Sequence, residues 1–113
     1  MTDIIYVNVE EGTKRVMNNT KLYAKLLGKF KDDKSLTDVK NFLDAGDFEK
    51  AKAAAHTLKG LAANLSLIEL FNQTLELETQ IKAKSVNPGQ FTAVENAYAQ
   101  TLTETDKVIA QYG

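Results

Sequence analysis

The one histidine of this 113-residue chain, His56, lies within Ala54-Ala55-His56-Thr57-Leu58-Lys59-Gly60-Leu61-Ala62-Ala63-Asn64-Leu65. At 3.6 residues per turn, Ala51, Ala54, Ala55, Leu58, Ala62 and Leu65 share one side of a helix, which marks that side as buried. His56 projects from the opposite side. Its neighbours three, four and seven positions on are Lys59, Gly60 and Ala63, with Lys52 one turn behind it. The result is an imidazole on the outside of a buried helix, with an ammonium beside it and almost no side-chain bulk in front. A large partner can come close to it. Gly60 is the informative neighbour, because glycine in a helix interior costs about 1 kcal/mol relative to alanine. Either access to His56 or tight packing against a neighbouring helix would offset that cost.

A second candidate comes from the following helix. Glu78 falls on the wheel between Phe71, Thr74 and Ile81, inside an otherwise apolar arc, and a carboxylate there needs a partner. If the chain reverses near Ser66, antiparallel pairing brings positions ten before and twelve after it to about the same level. Glu78 is then expected near His56 and Lys59. Three outcomes stay open: a bond from the imidazole Nδ1-H, a pair with Lys59, or a side chain that snorkels to solvent.

The segment Ala55 to Leu65 resembles the signature of histidine-containing phosphotransfer (HPt) domains, where an alanine and a histidine precede Leu-Lys-Gly and small residues lead to Leu-Gly. Leu22-Tyr23-Ala24-Lys25-Leu26-Leu27-Gly28-Lys29-Phe30 resembles the helix before it in that family, so the likeness spans most of the chain. Ser66 stands where the family usually has glycine, and Glu78 where many members carry glutamine.

The resemblance implies a phosphoryl carrier, with transfer between Nε2 of His56 and an aspartate of a response-regulator receiver domain. The receiver would bring its own acidic pocket and magnesium, and a sensor or hybrid histidine kinase would be the other partner. Such a transfer needs in-line positioning and nearby cations more than covalent help. On this reading Lys59 stabilises phosphate charge, Gly60 gives steric access, and Lys52, Ala63, Asn64 and Glu78 meet the partner. A helical protein–protein interaction module, using His56 as an ordinary contact, is the alternative.

Bulk properties narrow the field further. A chain of 113 residues is expected to be one domain over 1–113, long enough to bury its own core. Fourteen basic and fifteen acidic residues supply no basic stripe for nucleic acid. With no cysteine and one histidine, no metal is expected on the chain itself, nor any other cofactor. The chain lacks a Gly-x-x-x-x-Gly-Lys-Ser/Thr loop, so ATP use and autonomous kinase activity are not expected. Short apolar runs and an opening Met1-Thr2-Asp3-Ile4-Ile5-Tyr6 without export features predict a cytoplasmic protein with no membrane partner. Met1 at the start and no linker after Gly113 fit a free-standing protein.

These residues have to be positioned by helices. Apolar steps of three and four predict a short helix across Val9 to Met17, a second from Asn19 or Thr20 through Phe30, and a third from Ser35 to Gly46. The histidine helix follows Asp47 from about Phe48 to Leu65. A fifth, opened by a Ser66/Glu69 capping box, should reach roughly Lys84, and Asn87-Pro88 starts the last. Its inner stripe is read as Phe91, Val94, Tyr98, Leu102, Thr105 and Ile109. The expected class is all-α: an antiparallel four-helix bundle with one or two short accessory N-terminal helices.

Overall fold

The computed structural model describes residues 4–113 and contains α1 (Val9–Lys14), α2 (Thr20–Phe30), α3 (Ser35–Asp44), α4 (Phe48–Asn64), α5 (Ile68–Lys82) and α6 (Pro88–Tyr112), with no strand among the described residues. The opening Met1-Thr2-Asp3, part of the stretch read above for export features, lies outside the described residues.

α4 packs against both α3 and α5, α5 against α6, and α6 against α2. At about 1.5 Å per residue, the 25 residues of α6 outrun the 15 of α5, so its far end meets α2. The fourth side of the bundle is therefore shared. α3 covers α4 through the hairpin at Gly46, and α2 reaches the end of α4, where the Tyr23 hydroxyl donates to the Leu65 carbonyl at 2.5 Å. α1 is the accessory helix and rests on α2. Gly12 makes that contact possible, since a Cβ there would collide with the Tyr23 ring.

The caps explain most helix starts. Asn8, Asn19, Asp47 and Asn87 each accept a bond from a backbone N–H of the first turn, at Glu11, Leu22, Lys50 and Gly89. Gly46, at φ 73°, ends α3 in the left-handed region that glycine adopts without steric penalty.

Two caps predicted by Ser-x-x-acid spacing, at Ser35/Asp38 and at Ser66/Glu69, are not formed. Ser35 is the first residue of α3, not its cap; its amide and hydroxyl both donate to the Asp33 carboxylate. Ser66 makes no capping box with Glu69. Its backbone sits at φ 57°, and its hydroxyl donates to Glu11 at 2.9 Å. The orphan amides of α5 go elsewhere, Ile68 N–H to the Tyr6 carbonyl and Glu69 N–H to that of Ile5. The left-handed backbone also accounts for the glycine expected at this turn, because only glycine enters that region freely.

Smaller differences concern faces and ends. α1 stops at Lys14, because Met17 and Asn18 turn into the left-handed region. α4 ends one residue before Leu65, and α5 ends at Lys82, with Lys84 left-handed. The buried line of α6 is Val94, Ala97, Thr101, Thr105 and Val108, while Phe91, Tyr98, Leu102 and Ile109 flank it half-buried. Thr101 is tolerated in the core because its hydroxyl bonds back to the Ala97 carbonyl at 2.6 Å. Leu22, which helical spacing places with Tyr23, Leu26, Leu27 and Phe30 on the apolar stripe of α2, is 40% exposed.

Candidate functional site

α4 carries His56 outward because its other face is committed to the core: Ala51, Ala55, Leu58 and Ala62 are each fully buried. With small residues on three of those turns, neighbouring helices come close and the register of α4 against α5 is tightly held. That register sets Glu78 beside His56. The imidazole remains 71% exposed, whereas Glu78 is 16% and Lys59 21% exposed.

The Glu78 carboxylate serves two partners. Its Oε2 lies 2.9 Å from Nδ1 of His56, and its Oε1 accepts from the Lys59 ammonium at 2.6 Å. Both pairings considered from the sequence occur together, and the side chain does not snorkel. Burial alone would push the Glu78 carboxyl up; hydrogen bonds from Lys59 and His56, helped by their charges, outweigh it and hold the group below the usual carboxylate range. Glu78 is therefore an anion at neutral pH. An ionised carboxylate only accepts, which assigns the ring proton to Nδ1 and leaves the lone pair on Nε2.

Gly60 is exposed, and a Cβ built there would meet nothing within 4 Å. Packing against a neighbouring helix does not explain this glycine. The space one turn beyond His56 is open.

His56 opens onto a groove between α4 and α5 lined by Lys52, Ala53, His56, Thr57, Lys59, Glu78, Thr79 and Lys82. Of the expected site residues, Lys52, His56, Lys59 and Glu78 come together there. Ala63 and Asn64 do not line it. Ala63 lies in a second groove with Glu11, Arg15 and Phe71, and Asn64 in a third with Arg15, Leu26, Phe30 and Leu61. Lys82, Thr79 and Arg15 were not singled out from the sequence. The first of them was findable, because the antiparallel register that levels His56 with Glu78 also levels Lys52 with Lys82.

The family model described as Hpt domain matches residues 25–104, a span that opens inside α2, closes inside α6 and holds His56, Lys59, Gly60 and Glu78. The chain belongs to the Hpt domain family. Neither the comparison with curated proteins nor that with solved structures found a match. Hpt domains act in histidine phosphotransfer within two-component signalling, as carriers and not kinases, and interact with response regulators and kinases. α1 and Ile5 to Asn8 lie outside the matched span, yet they close the turn between the two helices that carry His56 and Glu78. No helix among the described residues is long and apolar enough to cross a membrane.

Proposed function

We propose that this Hpt domain is the phosphoryl carrier of a phosphorelay, exchanging a phosphoryl group between Nε2 of His56 and the aspartate of a response-regulator receiver domain. The observation that carries this reading is the 2.9 Å approach of the Glu78 carboxylate to Nδ1 on an otherwise exposed ring. It presents the nucleophilic nitrogen to solvent in the required tautomer before any partner arrives.

In the forward step the Nε2 lone pair attacks phosphorus in line, and an Nε2–P bond forms as the aspartyl O–P bond breaks. The electron pair of the broken bond leaves on the receiver's carboxylate. The ring keeps its Nδ1 proton and becomes cationic. Glu78, already anionic and in contact with that proton, stabilises the charge as it develops, without reorganising. The reverse step returns the phosphoryl group to an aspartate by the same path. The receiver supplies the acidic pocket and magnesium, and the open surface at Gly60 admits it.

The test is to mix the protein with phosphorylated receiver domains and look for an acid-labile, base-stable phosphate on the wild-type chain. His56→Gln should stay folded and take up none. Acid-labile phosphate on that variant would overturn the assignment, and binding of receivers without uptake by the wild type would favour a plain interaction module.

A further inference from the structure

Three lysines, Lys52, Lys59 and Lys82, line the groove at His56, against the single carboxylate of Glu78. They are not equivalent. Lys59 is held at 2.6 Å by Glu78, and both side chains are largely withdrawn from solvent. Moving the Lys59 ammonium onto a phosphoryl group would strip a mostly buried carboxylate of its cation just as more negative charge arrives nearby, an unfavourable exchange. Lys52 has only an exposed contact with Glu49 at 3.8 Å, of the kind that contributes little and is readily given up. Lys82 has no ion-pair partner among the described residues and is exposed.

Position favours the same two residues. Lys52 is one helical turn from His56 on α4, and Lys82 one turn from Glu78 on α5, so both stand at the end of the groove away from Lys59. Each has a flexible four-carbon stem and three rotatable donors, suited to following a group that is present only part of the time. Once Glu78 has neutralised Lys59, Lys82 and the weakly held Lys52 are the cations the groove can still offer to a phosphoryl group on Nε2.

We propose that Lys82 and Lys52, and not Lys59, are the cations that bind the phosphoryl group carried by His56, with Lys59 serving to hold the Glu78 carboxylate in place. The proposal rests on His56 being the phosphoacceptor and names the residues that receive its cargo. It also gives α5 a part in the transfer that ends one turn beyond Glu78.

The test uses phosphoramidate as a small donor, so that receiver docking plays no part. Its P–N bond breaks as the Nε2–P bond forms, and ammonia leaves with the electron pair. Rates of His56 phosphorylation are compared for the wild type, Lys82→Gln, Lys52→Gln, the double variant, and Lys40→Gln, a control on the exposed side of α3. The Lys82 and Lys52 variants should each be slowed about threefold or more, and the double variant at least about tenfold, as expected for loss of charge at an electrostatically stabilised transfer. The control should match the wild type. Spectra of the 15N-labelled lysine ammonium groups, taken before and after phosphorylation, should show the Lys82 and Lys52 signals moving and that of Lys59 staying. Variant rates indistinguishable from the control, or a Lys59 signal that alone moves onto the phosphate, would overturn the proposal. If the wild type took up no phosphate on His56 at all, the carrier assignment itself would fall and this one with it.

Discussion

The two oxygens of the Glu78 carboxylate are divided between an imidazole and an ammonium: Oε2 faces Nδ1 of His56 at 2.9 Å, and Oε1 accepts from Lys59 at 2.6 Å. One side chain thus links the exposed imidazole to the only lysine of the groove that is mostly buried.

This link makes Glu78 a stabilising group whose contribution depends on pH. Desolvation raises its proton affinity, but bonds and charges from Lys59 and His56 leave it lowered in the folded state. A group with a depressed folded value contributes stability above its unfolded value of about 4.3, and that contribution is lost as pH falls through the folded value. Glu78→Gln removes the charge and can accept from only one of the two donors. At neutral pH it should destabilise the protein by about 1–3 kcal/mol, and the difference from wild type should shrink on acidification below about pH 4. Urea denaturation of both proteins between about pH 7 and pH 3 checks this, and parallel curves across that range would contradict it.

Gly60 offers a separation of stability from access. Because a Cβ there meets nothing within 4 Å, Gly60→Ala should stabilise α4 by about 0.8–1 kcal/mol, the full difference in helix propensity. Gly60→Gln should also be at least as stable as wild type, yet accept phosphate from receivers more slowly, while phosphoramidate still labels it at the wild-type rate. Equal slowing with both donors would place the effect at the imidazole and not at the approach of the partner.

At the C-terminal end of α4, Tyr23 predicts an alkaline limit. Burial first, and the charge of Glu11 second, push its hydroxyl from 10.0 up to about 12, and that hydroxyl donates to the Leu65 carbonyl. A folded value raised above the unfolded one gives stability that is complete below about pH 10 and is lost as pH rises through the folded value. Tyr23→Phe should be less stable by about 0.5–1.5 kcal/mol at neutral pH and should close that gap between pH 10 and 12. Thermal unfolding across that range, read by circular dichroism, would show the two curves converging. A constant gap would mean the hydroxyl is not the titrating group.

What the sequence made legible was local or periodic. Asn19, Asp47 and Asn87 cap helices within three residues of themselves, so their role can be read from the chain alone. Glu78 was legible because one turn and one antiparallel register suffice to place it. Ser66 was not: the Ser-x-x-Glu pattern suggests a local cap, but the left-handed backbone turns the serine away to Glu11, fifty-five residues distant in sequence. The buried line of α6 is legible only in part: Val94 and Thr105 of the expected stripe are buried, but Thr101 enters the core through its internal bond to Ala97, which leaves no mark in the hydropathy pattern. Along its own helix Lys82 is simply an exposed lysine near the end, and its place in the groove follows only from the register across to α4.

The borrowed carbonyls at the start of α5 also bear on how the molecule assembles. Adjacent helices such as α3, α4 and α5 meet through contacts between near neighbours in the chain, which close quickly. The first turn of α5 is different, since Ile68 and Glu69 find their acceptors at Tyr6 and Ile5, across most of the preceding sequence. Closing that loop carries a larger entropic cost than closing a helical hairpin. The hairpin of α4 and α5 can therefore form early with its corner unfinished, and the leading segment arrives afterwards as a latch. The ring and its carboxylate are joined across 22 residues of chain, whereas the latch that seals their corner spans more than sixty.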